Sequence, residues 1–168
     1  MYCDEDYLVE KPMVLKKLME TAMSFSELSK CAAKKVCCIL YKNGNIISLG
    51  LNGTSPGTVN CCEKFTKING VWNTIKAGVI SPCETQDDHY FWSLYNEIHA
   101  EMNAISKALV PVQGATAIVT HAPCLNCAKA FLAFGINRIY YKNKYDDFDN
   151  VFNFLKSQNI ELLCVDEI

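Results

Sequence analysis

Residues 115–141 have the sequence ATAIVTHAPCLNCAKAFLAFGINRIYY, and this stretch decides the fold of the chain. The apolar run at 115–120 predicts a buried strand, and residues 124–134 predict a helix that Gly135 ends. A second apolar run at 136–141 predicts the next strand. Helices that alternate with strands in this way are typical of an α/β protein.

The same alternation continues on both sides of this stretch. Pro12 suits the first turn of a helix in which Leu15, Leu18, Met19 and Ala22 recur at helical spacing. Strands are predicted at 36–41 and 46–51, joined by the hairpin signal Asn43-Gly44. A last helix is predicted at 148–155 and a last strand at 160–165. We therefore expect a mixed five-stranded sheet with helices on both faces, partly antiparallel through the hairpin.

Residues 52–97 do not follow this pattern. The segment is rich in turn residues and has no clear hydrophobic period, so we expect a loop-rich insertion within a single domain of residues 1–168. After it, Ile98, Met102, Ile105 and Leu109 predict the buried face of a helix.

Composition excludes several classes of protein. Hydrophobic residues make up 50% of the 168 and charged residues 20%, which excludes a disordered or low-complexity chain. The net charge is −2 and Arg138 is the only arginine, so the chain is a poor candidate for wrapping a nucleic acid polymer.

Cysteine is abundant, with 10 in the chain. Residues 1–10 include Asp4, Glu5 and Asp6 and no apolar run, and no stretch approaches the ~20 apolar residues of a membrane span. We therefore expect a cytoplasmic protein without a membrane segment, whose cysteines are reduced. In such a protein, cysteine patterns indicate metal binding or catalysis before disulfides.

Two short motifs carry the chemistry: His99-Ala100-Glu101 and Pro123-Cys124-Leu125-Asn126-Cys127. Each is expected at the start of a helix, where exposed N–H groups favour the thiolate form of cysteine. Cys124, Cys127 and His99 would supply three ligands to one zinc ion. Three protein ligands leave a fourth tetrahedral position open, which is typical of catalytic zinc. Glu101 would lie beside the metal and transfer protons.

Three other interpretations compete with this one. A Cys-x-x-Cys pair alone could be a redox site, but that explains neither His99 nor Glu101. A non-catalytic zinc module would need no Glu101 and no open position. A deaminase that acts on bases in tRNA or single-stranded DNA would need a basic groove, which the single arginine argues against. The two motifs in this order form the pattern of zinc-dependent deaminases.

Residues 13–165 resemble the phage-type deoxycytidylate deaminases. The resemblance rests on Asn-Glu-Ile-His-Ala-Glu-Met-Asn-Ala-Ile at 96–105, Pro-Cys-Leu-Asn-Cys-Ala-Lys-Ala at 123–130 and Gly-Leu-Asn-Gly at 50–53. It implies a three-layer α/β/α cytidine-deaminase-like fold and hydrolysis of dCMP to dUMP and ammonia. It also implies a homohexamer that dCTP activates and dTTP inhibits.

The resemblance further implies roles for individual residues. The implied substrate contacts are Asn52, Ala100, His121, Tyr145 and, beside the 5′-phosphate, Ser29. The implied effector contacts, with Mg²⁺ on the triphosphate, are Gly50, Leu51, Gly53, Thr54 and Asn60. A turn that simply needs glycine is the competing interpretation of the second set.

The resemblance also implies a second zinc, held by Cys31, Cys61, His89 and Glu97. Four protein ligands would close the tetrahedron, so this ion would be structural and would attach the insertion to the active-site helix. Scattered thiols and one surface histidine are the alternative. The remaining cysteines have no predicted role: Cys3, Cys37, Cys38, Cys62, Cys83 and Cys164.

Overall fold

The computed structural model describes residues 11–145 and 147–168, so Cys3 lies outside the described residues. The main body contains α1 (Pro12–Ser26), β1 (Cys37–Lys42), β2 (Asn45–Leu51), β3 (Gly53–Thr54), β7 (Glu97–Ile98), α4 (Ala100–Lys107), β8 (Thr116–His121), α5 (Leu125–Ala133), β9 (Arg138–Asn143), α6 (Phe148–Ser157) and β10 (Glu161–Cys164). The insertion between β3 and β7 contains α2 (Cys61–Lys64), β4 (Phe65–Ile68), β5 (Val71–Lys76), β6 (Val79–Pro82) and α3 (Asp88–Asn96).

The central sheet has five strands in the order β10-β9-β8-β1-β2. β1 pairs antiparallel with both β2 and β8, whereas β8, β9 and β10 run parallel to one another. Asn43 and Gly44 both have positive φ, which is the conformation that a two-residue hairpin turn needs. The predicted mixed sheet and its hairpin are confirmed.

Helices cover both faces of this sheet, because successive side chains of each strand point to opposite sides. In β1, Cys37 and Ile39 belong to a core formed with α1, while Cys38 and Leu40 belong to the core formed with α4, α5 and α6. All four side chains are fully buried. The expected three-layer α/β/α architecture is therefore confirmed.

The predicted buried face of α4 is wrong at three of its four residues, because only Ile105 is buried as predicted. Met102 is 39% exposed and Leu109 is 96% exposed, and Ile98 lies in β7 rather than in the helix. Beside Ile105, the helix buries two alanines, Ala100 and Ala104. These small side chains let the helix approach the sheet closely.

The insertion is more regular than its sequence predicts. β4, β5 and β6 form an antiparallel meander joined by two-residue turns at Asn69-Gly70 and Ala77-Gly78, all four with positive φ. Its strands are short and β6 is exposed throughout, so burial imposes little hydrophobic period. Asn69-Gly70 is the same hairpin-turn dipeptide as Asn43-Gly44, so the sequence could have predicted the hairpin of β4 and β5.

Within the described ranges, no helix is long and apolar enough to cross a bilayer.

Candidate metal centres and cavity

The first cluster of metal-ligand side chains lies where two helices begin. His99 is the N-cap of α4 and Cys124 is the N-cap of α5, with Cys127 one turn further along α5. The Nδ1 atom of His99 lies 3.5 Å from Cys124 Sγ and 3.3 Å from Cys127 Sγ. Two sulfur atoms and one imidazole nitrogen form a donor set that suits zinc and leaves one tetrahedral position for another ligand.

Burial and hydrogen bonding set the protonation of this cluster. The Cys127 thiol lowers the pKa of Cys124 to about 4, and the Cys124 thiolate in turn raises the pKa of His99 to about 9. Glu101, in the first turn of α4, is only 4% exposed, and this burial raises the pKa of its carboxyl group. The arrangement therefore places a thiolate beside a carboxyl group that is poised to hold a proton.

The second cluster joins the main body to the insertion. Cys31 precedes β1, Cys61 begins α2, His89 lies in α3 and Glu97 begins β7, and one donor atom from each lies within 4.8 Å of the others. Cys61 Sγ is 3.2 Å from His89 Nε2, and Cys31 Sγ is 3.5 Å from Glu97 Oε2.

Two observations show that the second cluster suits a cation. The hydrogen bond with Cys61 lowers the pKa of Cys31 to about 3, which favours a thiolate at this position. Glu97 Oε2 accepts a hydrogen bond from Ser93, whereas Glu97 Oε1 is buried with no partner among the described residues. A buried carboxylate oxygen without a partner is unfavourable unless an ion or water neutralises it. Four protein donors would close the coordination of a metal, as structural zinc requires.

Aromatic side chains hold the imidazole of His89 in place. Trp72, from β5, stacks on it with the ring centroids 3.9 Å apart and the planes 1° from parallel. Phe65, from β4, packs against it edge-on at 5.3 Å. The meander therefore fixes the orientation of a potential ligand that comes from α3.

Both clusters face one cavity. Cys31, His89 and Glu97 line one part of it, and His99 and Cys124 line another. The rest of the lining is formed by the following residues: Ala33, Lys34, Val36, Asn52, Tyr90, Ser93, Ala100, Glu101, His121, Ala122 and Tyr145. A concave site with convergent polar groups and perturbed pKa values is the expected form of an active site.

Residues 13–143 match the model of the family described as "Cytidine and deoxycytidylate deaminase zinc-binding region". This match covers both cluster motifs and most of the chain. The chain belongs to the cytidine and deoxycytidylate deaminase family. Zinc is therefore the metal that suits the His99–Cys124–Cys127 donor set.

Individual members of the deaminase family are similar over most of the chain. The deoxycytidylate deaminase of Enterobacteria phage T4 is 37% identical over 149 residues, covering 77% of each protein. The enzyme of phage T2 is 38% identical over 151 residues, covering 77% of this chain and 79% of the other. A crystal structure of the dCMP deaminase from cyanophage S-TIM5 with dCMP and dUMP is 30% identical with a TM-score of 0.69, covering 93% of this chain and 99% of that one. The resemblance to phage-type deoxycytidylate deaminases is confirmed.

Four of the five predicted substrate contacts of this deaminase-family chain line the cavity: Asn52, Ala100, His121 and Tyr145. Ser29 does not. Its hydroxyl is buried and donates to Asn52, at 2.9 Å from the carbonyl and 2.7 Å from Oδ1. Ser29 therefore lies behind the cavity wall, because its hydroxyl donates to Asn52 and accepts from the Cys31 N–H at 3.2 Å.

Asn52 connects the segment before β1 to the cavity wall. Its Oδ1 also accepts from the Val36 N–H at 2.9 Å, and its Nδ2 donates to the Lys34 carbonyl at 2.8 Å. Most of its polar capacity is used inside the protein, which leaves one amide hydrogen for another partner. Asn52 therefore shapes the wall that carries Lys34.

Lys34 also lines the cavity, although no sequence motif predicts it there. Its Nζ atom lies 4.0 Å from the centroid of the Tyr145 ring, at the cavity. Burial and the charge of Lys34 together lower the pKa of His121, so that ring is kept neutral. A lysine in a polar segment belongs to no recognisable sequence motif, so its position at the cavity is seen only in the structure.

The five predicted effector residues do not form one open phosphate-binding loop. Gly50 is buried, and a Cβ atom there would lie 2.1 Å from the Ala100 carbonyl oxygen and 2.3 Å from Ala104 N. This glycine is required for close packing of β2 on α4, and it lies within the strand rather than in a turn. Gly53 and Thr54 pair with β7, and the Leu51 carbonyl accepts from Asn103 at 2.7 Å.

Asn60 also has a local structural partner. It precedes α2, and both its backbone N–H and its side-chain amide donate to the Glu63 carboxylate, at 2.9 and 3.1 Å. These bonds lower the pKa of Glu63. They fix the start of the short helix that carries Cys61.

The cysteines outside the two clusters have different surroundings. Cys37 and Cys38 are fully buried in β1, and burial raises the pKa of Cys37 to about 12. Cys83 is buried, Cys164 is partly buried and Cys62 is exposed. The buried ones serve as small apolar side chains of the core.

Proposed function

We propose that this protein hydrolyses dCMP to dUMP and ammonia. The observation that carries the proposal is the triangle of His99, Cys124 and Cys127, together with the buried carboxyl of Glu101. His99, Cys124 and Glu101 line one cavity. Support for the nucleotide comes from the named activity of the phage relatives and from the dCMP and dUMP bound in the similar cyanophage structure.

The cluster residues and Glu101 have different tasks in this reaction. When bound by His99, Cys124 and Cys127, zinc supplies a water whose pKa is lowered to near neutrality. The Glu101 carboxylate takes a proton from the attacking water and delivers it to N3 of the pyrimidine. The water oxygen bonds to C4, and the same carboxyl group then carries the remaining proton of this hydroxyl group to the C4 amine. The C4–N bond breaks, ammonia leaves, and the C4 oxygen becomes the carbonyl oxygen of dUMP. Burial raises the pKa of the Glu101 carboxyl above its usual range, which favours holding a proton between the two transfers.

Other parts of the proposal rest on the family resemblance. Cys31, Cys61, His89 and Glu97 hold a second, structural zinc, and the partnerless Glu97 oxygen supports this role. The protein acts as a single-domain enzyme in the cytoplasm and assembles as a homohexamer. Residues 50–60 respond to dCTP as activator and dTTP as inhibitor, with Mg²⁺ on the triphosphates. Because Gly50 and Asn60 serve local structure, we assign the direct contacts to Gly53 and Thr54 with Leu51.

Replacement of Glu101 tests the catalytic proposal. We expect Glu101→Gln to retain the fold and one zinc at the first cluster but to lose at least ~10²-fold in kcat, the usual contribution of a general acid–base group. The measurement is dUMP and ammonia release from dCMP, with metal content and circular dichroism on the same sample. Near-normal turnover in this variant would contradict the proposed role.

The same assay separates the competing functions. Release of ammonia from a cytosine- or adenine-containing oligonucleotide, but not from dCMP, would favour a polymer-directed deaminase. Metal binding without any deamination would favour a zinc module. Addition of dCTP or dTTP to the dCMP reaction tests regulation. A rate that neither nucleotide changes would contradict it.

A further inference from the structure

A lysine side chain lies at the cavity wall. Among the cavity-lining residues that the structure describes, Lys34 is the only lysine or arginine. The substrate proposed above carries a 5′-phosphate, which is a dianion near neutral pH. A fixed cation at the cavity wall is therefore the group whose chemistry matches the substrate's charged end.

Local contacts hold Lys34 at this wall. The Asn52 side chain donates to the Lys34 carbonyl at 2.8 Å and accepts from the Val36 N–H, so it pins the backbone on both sides of Lys35. The ammonium lies 4.0 Å from the centre of the Tyr145 ring, which orients the long side chain towards the cavity. Ser29 supports the same wall because its hydroxyl donates to Asn52.

The neighbouring lysines face elsewhere. Lys35 forms an ion pair with Glu27 at 2.9 Å on the exposed surface. Lys30 is exposed and does not line the cavity. The three lysines thus differ in position although they lie within six residues of one another, and two of them provide natural comparisons.

We propose that Lys34, positioned by Asn52 and Tyr145, binds the 5′-phosphate monoester and makes the enzyme select a nucleotide over a nucleoside. This inference rests on the proposed dCMP deaminase function. It also explains the buried Ser29–Asn52 pair, which connects the segment before β1 to the cavity and keeps the lysine in place.

The test compares two substrates with four forms of the protein. The wild type, Lys34→Gln, Lys34→Arg and the surface control Lys35→Gln are assayed on dCMP and on deoxycytidine. Loss of a charge-assisted hydrogen bond predicts that Lys34→Gln raises KM for dCMP about 10- to 100-fold. Its kcat/KM on deoxycytidine stays within about twofold of the wild type. Lys34→Arg keeps most of the affinity, and Lys35→Gln behaves as the wild type.

Calorimetric binding of the product supplies a readout that does not depend on turnover. We expect dUMP to bind Lys34→Gln about 10- to 100-fold more weakly than the wild type, and deoxyuridine to bind both equally. An unchanged KM and dUMP affinity in Lys34→Gln would overturn the inference, as would an equal loss with both substrates. Turnover of an oligonucleotide that requires Lys34 would overturn its assignment to a monoester. A wild-type protein that is inactive on dCMP but binds dUMP through Lys34 would contradict the proposed function and leave this contact standing.

Discussion

Gly50 lets a strand and a helix pack with their backbones almost in contact. A side chain at this position would meet the Ala100 carbonyl oxygen at 2.1 Å and the Ala104 nitrogen at 2.3 Å, and backbone atoms cannot move away as a flexible side chain can. The Ser48 hydroxyl donates to the Ala104 carbonyl at 2.6 Å and closes the same contact. Because His99 and Glu101 flank Ala100, this packing also fixes the distance between these two residues of the candidate site and the sheet.

We expect Gly50→Ala to destabilise the protein by about 1–3 kcal/mol, the usual cost of inserting a group into a packed core, or more. Urea denaturation measures the change. The control is Gly70→Ala, at a turn with positive φ where a Cβ atom meets no heavy atom within 4 Å. That substitution should cost only the local backbone strain of about 1 kcal/mol. A smaller loss at Gly50 than at Gly70 would contradict the packing role.

Among the elements, the meander acts on the second cluster through an aromatic contact. Trp72 of β5 stacks on His89 of α3, and Phe65 of β4 packs against the edge of the same ring. Stacked aromatic pairs contribute about 0.5–1.5 kcal/mol beyond their buried area. The meander therefore stabilises the one rotamer of His89 that points Nε2 at Cys61.

We expect Trp72→Ala to weaken zinc retention at the second cluster by roughly 3- to 10-fold, because His89 loses its stacking partner. Native mass spectrometry during competition with a chelator counts the zinc ions that remain on each chain. Val79→Ala is the matched control, since Val79 lies in the same meander and is 65% exposed. Equal zinc retention by both variants would show that the stacking does not position the ligand.

The elements also show what a sequence can predict. The five main strands follow from apolar runs, because a buried strand imposes a pattern on its residues. Both N-caps follow from the motifs, since His99 and Cys124 each precede a helical run. Only Ile105 on the buried face of α4 could be predicted from size and polarity, because the closest contact is made by Ala100 and Ala104 against a glycine. The role of Lys34 could not be predicted either, since its position depends on contacts with Asn52 and Tyr145, which lie far away along the chain.

At the scale of the whole molecule, the main body and the insertion are stabilised in different ways. The five-stranded sheet lies between two buried apolar cores that need no metal. The insertion has a short exposed meander and two small helices, and the cluster of Cys31, Cys61, His89 and Glu97 joins it to the body. Small sheets without a large apolar face are marginal alone. The free energy of metal binding at this cluster should therefore act as folding free energy for the insertion.

Hydrogen exchange after zinc removal tests this division of the molecule. We expect a chelator to increase exchange across residues 61–96 while β1, β8 and β9 stay protected, because local opening follows local stability. Cys61→Ser should produce the same pattern without a chelator. Cys124→Ser should leave the insertion protected, since it removes a donor of the first cluster only. If the insertion stays protected in Cys61→Ser and in the chelated wild type, its own packing would be sufficient, and the second cluster would have no structural role. If exchange rises in the sheet as well, the two parts would unfold as one cooperative unit, because the metal would then stabilise the whole chain and not the insertion alone.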